Sequence, residues 1–359
     1  MQISKDQPLE WLHSFTNSSL HLILFMTEQC NFRCVYCYED FKLHNMEKDV
    51  IAGVKNLIEK RITNITHLAI SYFGGEPLLN KPGVLDMTTW AKDMCEKHNV
   101  KYRGNITTNG YSLDEKTFDS IISQGITSYQ ITIDGDKASH DKLRPTITGK
   151  ATFDKIMRNI RMMAGSSHEF ECVVRLNVSD ANFDGVANFI KKEAASIFAG
   201  DKRFKIHFHP IWGRPELMLK QKDRLDELNA MVEELGLNHT EESGLTVLQN
   251  KDHAKEKTDN AATKKGREAD YVCYAAKANS FSIRANGQVQ KCTVALKDEI
   301  NNIGKLHKDG TLELDHDKLT KWIFAKEKGC PLQALALEKL AIPYKDAGKF
   351  DKVPAEVKL

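Results

Sequence analysis

The sequence predicts an α/β fold: a partial (β/α)6 TIM-type barrel, followed by a smaller C-terminal unit of different character. Three observations carry this. Between about residues 20 and 215, short apolar runs alternate with segments whose apolar residues recur at helical spacing. Such alternation builds a parallel sheet with helices outside it, and six units are too few for a closed eight-unit barrel. Beyond a charged stretch at 216–268, the composition changes to short hairpin-like segments.

The units run in order. SLHLILFM is the first strand, followed by a cysteine-containing loop and the helix DVIAGVKNLIEKRI. ITHLAISYFGG is a strand ending in glycines, and GVLDMTTWAKDMCEKHN the next helix. YRGNITTNG is a strand and turn. SLDEKTFDSIISQG is a helix expected to open on Ser112 as N-cap and close at Gly125. SYQITIDG, TFDKIMRNIRMMAG, EFECVVRLNVS, FDGVANFIKKEAASIF and RFKIHFHPIW complete the series as strand, helix, strand, helix and strand. Residues 1–19 form a short lead-in, 20–215 the barrel, 216–268 a charged helical linker, and 269–359 the C-terminal unit and tail. In that unit NSFSIRANGQVQKC reads as a hairpin around Asn286–Gly287.

The bulk numbers narrow the function. A chain of 359 residues allows two or three domains at roughly 150 residues each. A formal net charge of +2 argues against a nucleic-acid or membrane partner recognised by bulk charge. The longest apolar run, LHLILFM, is far too short to span a bilayer. The N-terminus has no basic stretch followed by an apolar one, so a cytoplasmic, reducing location is expected. There, clustered cysteines read as metal ligands or catalytic thiols rather than disulfides.

Cys30, Cys34 and Cys37 are three of eight cysteines, and they share one loop directly after the first strand. Barrels of this type place ligands there. Thiolates select zinc, copper(I) or iron–sulfur clusters. A closed zinc site wants four ligands, and no fourth is local. Three thiolates can hold three irons of a cubane and leave the fourth iron open to a substrate or cofactor. Zinc with a distant ligand and chance clustering of structural thiols are the alternatives.

CNFRCVYCY resembles the C-x3-C-x-aromatic-C signature of radical S-adenosylmethionine (SAM) enzymes, with Tyr36 as the aromatic residue. YFGGEPLL resembles that family's GGEP motif, TTNG its turn after the third strand, and QITIDG with HDKLRPTITGKATFDKI its fourth strand and following loop. The resemblance covers about residues 20 to 215. It implies a 4Fe–4S cluster on Cys30, Cys34 and Cys37, and reductive cleavage of SAM to a 5′-deoxyadenosyl radical. It also implies an electron donor such as a flavodoxin or ferredoxin.

Each motif has a physical reading of its own. Gly74 and Gly75 let backbone approach a ligand closely. Glu76 supplies an anion for the SAM ammonium, or is a solvated loop carboxylate. Thr108 and Asn109 can bind ribose hydroxyls, or form a plain turn. Thr132 ends the fourth strand. Arg144 is the candidate for the SAM carboxylate, since a guanidinium binds one in bidentate fashion, or is a surface ion pair. Arg175 and Asn177 alternate onto one strand face, toward the barrel mouth. Asp134 is either catalytic or a cap for the Asp–Gly turn.

The segment from Cys273 to Cys292 has the form C-x13-G-x4-C. With NNIGKL and a Trp-containing helix ending KGCP at Cys330, it resembles the SPASM or shorter twitch auxiliary-cluster domain of radical SAM peptide maturases. A full SPASM domain carries a longer cysteine run; only Cys330 stands there. One auxiliary 4Fe–4S cluster on Cys273, Cys292 and Cys330 is expected, against three structural cysteines in a domain that has lost its metal. This resemblance implies a ribosomally made precursor peptide as substrate. The short lead-in leaves no room for a fused winged-helix domain, which counts against the peptide reading unless a separate protein binds the leader. A small molecule or nucleotide is the main rival substrate, and sulfatase maturation ranks lower. Cys95, Cys172, His207 and His209 read as core or barrel-lining residues.

Overall fold

The computed structural model describes residues 15–211, 217, 219–221, 223–240, 272–324 and 331. Cys330, most of the charged linker and the C-terminal tail lie outside the described residues.

Six parallel strands stand side by side in chain order: β1 (Ser19–Thr27), β2 (His67–Gly74), β3 (Lys101–Thr108), β4 (Ile126–Ile133), β5 (Glu171–Val178) and β6 (Phe204–Pro210). The helices between them are α1 (Lys48–Arg61), α2 (Lys81–Lys97), α3 (Glu115–Ser123), α4 (Lys137–Leu143), α5 (Phe153–Gly165) and α6 (Phe183–Phe189). A π-helical turn at Ile190–Ala194 carries α6 into α7 (Ala195–Phe198). One face of the sheet holds Ile106, Tyr129, Ile131, Val174 and Ile206 against these helices, and all are buried. The other face carries the site. This is the predicted partial barrel: β6 and β1 are not paired, so the ring stays open.

The strand after the linker was not foreseen in its place. β7 (Ser280–Ile283) pairs parallel with β1, and β8 (Gln288–Gln290), β9 (Asn302–Leu306) and β10 (Leu312–Leu314) follow antiparallel. The expected Asn286–Gly287 turn joins β7 to β8. The result is one ten-stranded sheet in the order β10-β9-β8-β7-β1-β2-β3-β4-β5-β6. His21 stitches the junction. Its two ring nitrogens lie 2.9 Å from the hydroxyls of Ser280 on β7 and Ser71 on β2.

Two local expectations are corrected. Ser112 does not cap α3; Asp114 does, its carboxylate accepting from the Thr117 N–H at 2.9 Å. Leu113 is fully buried, so the chain is still packing inward when Ser112 passes, and the first turn begins two residues later. The segment read as a loop after the fourth strand contains α4, capped by Asp136.

Candidate active site

The site is built at the C-terminal ends of β1 to β6, where parallel strands present their loops. The cysteine loop is zipped to the segment after α4. Arg33 and Val35 donate backbone hydrogen bonds to Pro145 and Leu143, and Ile147 donates to Asn31, all at 2.9–3.0 Å. The GGE turn closes on the other side: Gly75 N–H donates to Thr27, and Glu76 N–H to Gln29. A Cβ on Gly75 would sit 2.3 Å from the Gln29 carbonyl oxygen, so only glycine lets the two loops touch.

The three thiols are partly exposed and share one environment. Burial, with Glu76 nearby, pushes Cys30 up to about 12, and Cys34 and Cys37 add to the push. Burial likewise raises Cys34 to about 11, against the opposing charge of Arg144. A bound cation would reverse this and hold all three as thiolates. Among the described residues, no three His, Cys, Asp or Glu side chains converge tightly enough for a single metal ion. Three soft ligands spread around one loop fit a cluster, in which each thiolate takes a different iron.

Around the loop lies a polar knot. Tyr36 donates its hydroxyl hydrogen to Asp134, and accepts from Arg144 Nη1 and Asn177 Nδ2, each at 2.9 Å. Asn177 Nδ2 also reaches Asp134 at 3.2 Å, and Asn177 Oδ1 accepts from Arg175 Nε at 2.9 Å. Strand register explains the gathering: Thr132, Arg175 and His207 stand in one row across β4, β5 and β6, and Asn177 and His209 in the next. Burial raises the Asp134 carboxyl and lowers the Arg175 guanidinium. Arg144 is buried, and its Nε has no hydrogen-bond partner. It is not a surface ion pair.

Glu76 is also fully buried, not a solvated loop carboxylate. It accepts from Leu78 N–H at 3.0 Å, Thr108 Oγ1 at 2.8 Å and Asn109 N–H at 2.7 Å. A carboxylate offers about four acceptor positions, so these bonds leave capacity for one more donor. Asn109 Nδ2 donates to Asn31 at 2.8 Å, tying the TTNG turn to the cysteine loop.

Sequence reasoning missed three contributors. His140 lies behind Arg144: its Nδ1 accepts from Asp134 N–H, and its Nε2 meets Thr152 Oγ1, which donates to the Arg144 carbonyl. Asn182 donates to the Asp134 and Asn177 carbonyls. Glu28 is held by Arg284 from the C-terminal segment. The four-residue spacing of His140 and Arg144 was a readable signal; the other two had none.

Of the C-terminal cysteines, Cys273 and Cys292 stand on neighbouring segments. Tyr274 and Thr293, next to them in sequence, share a 2.8 Å hydroxyl contact. Cys95 and Cys172 are fully buried. His207 and His209 line the inner face, and burial beside Arg175 lowers both, His207 to about 4.

An open parallel barrel with three thiols in its first loop and buried polar groups around them is the frame of a cluster-dependent enzyme. Residues 24–190, a little under half of the chain, match the model of the radical SAM superfamily. Two curated relatives share 28% identity. One is a GTP 3′,8-cyclase of Haemophilus influenzae, over 190 residues, 49% of this chain and 51% of the relative. The other is a cysteine-type anaerobic sulfatase-maturating enzyme of Clostridium novyi, over 182 residues and 48% of each. This chain thus spans about half the length of both. Among solved structures, anSMEcpe with bound AdoMet and Cp18Cys peptide superposes with a TM-score of 0.59 at 18% identity, covering 88% of this chain and 87% of that one. Streptococcus suis SuiB bound to precursor peptide SuiA gives 0.51 at 14% identity, covering 89% and 67%. These likenesses are of fold. Among the described residues no helix is long and apolar enough to cross a membrane.

Proposed function

We propose that the chain modifies a ribosomally made precursor peptide, installing a side-chain change such as a crosslink. The observation that carries this is the single sheet, in which a C-terminal hairpin extends the barrel beyond β1. The overall fold is similar to those of anSMEcpe and SuiB over nearly nine-tenths of this chain, and both were solved with peptides bound.

In this reading Cys30, Cys34 and Cys37 hold a 4Fe–4S cluster. When bound, it supplies the electron that splits SAM into methionine and a 5′-deoxyadenosyl radical, which takes a hydrogen atom from the substrate. The rest of the site binds and orients. Gly74 and Gly75 let the GGE turn close against the Thr27 and Gln29 carbonyls at the base of the cysteine loop. Glu76 offers its remaining acceptor position to the SAM ammonium, and Thr108 and Asn109 face the ribose. Arg144 offers its unpartnered Nε to the carboxylate. Tyr36, Thr132, Arg175 and Asn177 fix the wall opposite. Asp134, raised by burial, can hold a proton shared with the Tyr36 hydroxyl. Cys273, Cys292 and Cys330 hold one auxiliary cluster. A flavodoxin or ferredoxin supplies electrons, and a separate protein binds the leader.

The test is iron and sulfide per chain after anaerobic reconstitution, with and without Cys30, Cys34 and Cys37 replaced by Ala. About eight irons falling to about four supports two independent clusters. About four falling to none removes the auxiliary cluster. It would favour the second reading, a small-molecule or nucleotide substrate, which the 28% identity to GTP 3′,8-cyclase supports. Loss of two hydrogens from a precursor peptide encoded beside the gene, with formation of 5′-deoxyadenosine, would decide for the peptide.

A further inference from the structure

We propose that Arg284 and Ala285, a dipeptide of the C-terminal hairpin, clamp both stems of the cysteine loop, and that Arg284 is a positioning residue for the cluster site. The proposal rests on the reading of Cys30, Cys34 and Cys37 as cluster ligands.

The cysteine loop leaves β1 at Glu28 and returns to α1 at Glu47. Glu28 is fully buried, two residues before Cys30. Its carboxylate pairs with the Arg284 guanidinium through Nη2 and through Nε at 3.2 Å, and accepts from the Ala285 N–H at 3.1 Å. At the other stem, the Glu47 N–H donates to the Ala285 carbonyl at 3.0 Å. Neighbouring bonds close the base: Met46 N–H to Met26, and Glu28 N–H to His44. Two adjacent residues therefore hold the entrance and the exit of a loop that precedes them by some 250 positions. Arg284 is itself held by the turn between β7 and β8, its N–H donating to the Gln288 carbonyl and its carbonyl accepting from the Gly287 N–H, both at 2.9 Å.

A buried carboxylate that loses its cation is costly, and the backbone on which it sits relaxes. That backbone is continuous with Gln29, whose carbonyl receives the Glu76 N–H at 2.9 Å. Loosening Glu28 thus shifts Cys30 and the GGE turn together. Groups that orient metal ligands typically contribute about 10–100-fold to metal affinity.

The full-length chain is reconstituted as native protein, Arg284→Gln, Arg284→Lys and the double Glu28→Gln/Arg284→Gln, which removes the Glu28 charge together with its cation. Three quantities are read: thermal unfolding, iron retained after a chelator challenge, and the electron paramagnetic resonance change of the reduced protein on adding SAM. Glu76 and Arg144, the groups read as holding SAM, stand beside Cys30, Cys34 and Cys37, so that last response reads the cluster of this loop. Arg284→Gln is expected to retain about tenfold less iron at the SAM-responsive cluster, with an altered SAM response, and Arg284→Lys to recover part of both. If Arg284→Gln fails to fold, the double variant decides: an altered SAM response in a folded double variant upholds the clamp. A native SAM response in Arg284→Gln, or in the double variant, overturns the clamp and leaves the cluster reading intact. A native chain that binds no iron overturns both.

Discussion

The Tyr36 hydroxyl donates to the Asp134 carboxylate, joining a residue between two of the loop cysteines to the end of β4. The same oxygen receives Arg144 and Asn177. Three elements therefore meet at one phenol. Tyr36→Phe keeps the ring and removes the junction, leaving buried Asp134 and Arg144 each short of a partner. A loss of about 1–3 kcal/mol in unfolding free energy is expected, read as a lower denaturant midpoint. SAM affinity, measured by titration calorimetry under anaerobic conditions, should fall as Arg144 is released. An unchanged midpoint would show that water replaces the phenol without cost.

Gly75→Ala places a methyl group 2.3 Å from the Gln29 carbonyl oxygen and 2.6 Å from its carbon. Backbone cannot swing aside as a side chain can. The two loops must separate, with a cost of about 1–3 kcal/mol. Reconstituted iron at the first cluster is expected to drop sharply, while Gly165→Ala, whose Cβ meets nothing within 4 Å, serves as the neutral control.

Arg144→Lys preserves charge and loses the planar fork. A carboxylate then sees one point charge in place of two parallel N–H donors. SAM binding is expected to weaken by about tenfold, since charge-assisted hydrogen bonds contribute about 1.5–3 kcal/mol. Equal affinity for SAM in both proteins would remove Arg144 from the carboxylate.

His21 makes stability depend on pH. Burial, with Lys277 and Lys291 adding, lowers its pKa from 6.5 to about 3 in the folded state. The unfolded chain therefore binds a proton first. The stabilisation is complete above pH 6.5 and is lost as pH falls toward 3, by up to about 1.4 kcal/mol per pH unit. Urea midpoints between pH 7 and 4 should fall more steeply for the native chain than for His21→Gln. Parallel curves would mean that the ring protonates without strain.

The first loop was legible because its information is local. Cysteine spacing, the paired glycines and the Thr-Asn-Gly turn each carry their geometry within a few residues. Alternation along β5 placed Arg175 and Asn177 on one face, and strand register then set them beside Thr132 and His207. The Ser112 cap failed because capping depends on which neighbour packs inward, and Leu113 does. The place of β7 was not legible. Parallel pairing with β1 needs no turn and leaves no spacing signal. The pairing of Glu28 with Arg284, 256 residues apart, was hidden for the same reason.

The neighbour that β1 receives on its outer side has a consequence for how the protein is made. β1 leaves the ribosome first among the strands, and β7 last among the parallel ones. Until Ser280–Ile283 has been translated, β1 has a bare edge, His21 lacks the Ser280 hydroxyl, and Glu28 has no cation. At about 5–20 residues per second, that interval is on the order of tens of seconds. The nascent barrel is thus a distinct species, with an open sheet margin that other chains can pair with. Its exposure time is set by the whole length of chain between β1 and β7, and the linker adds to it.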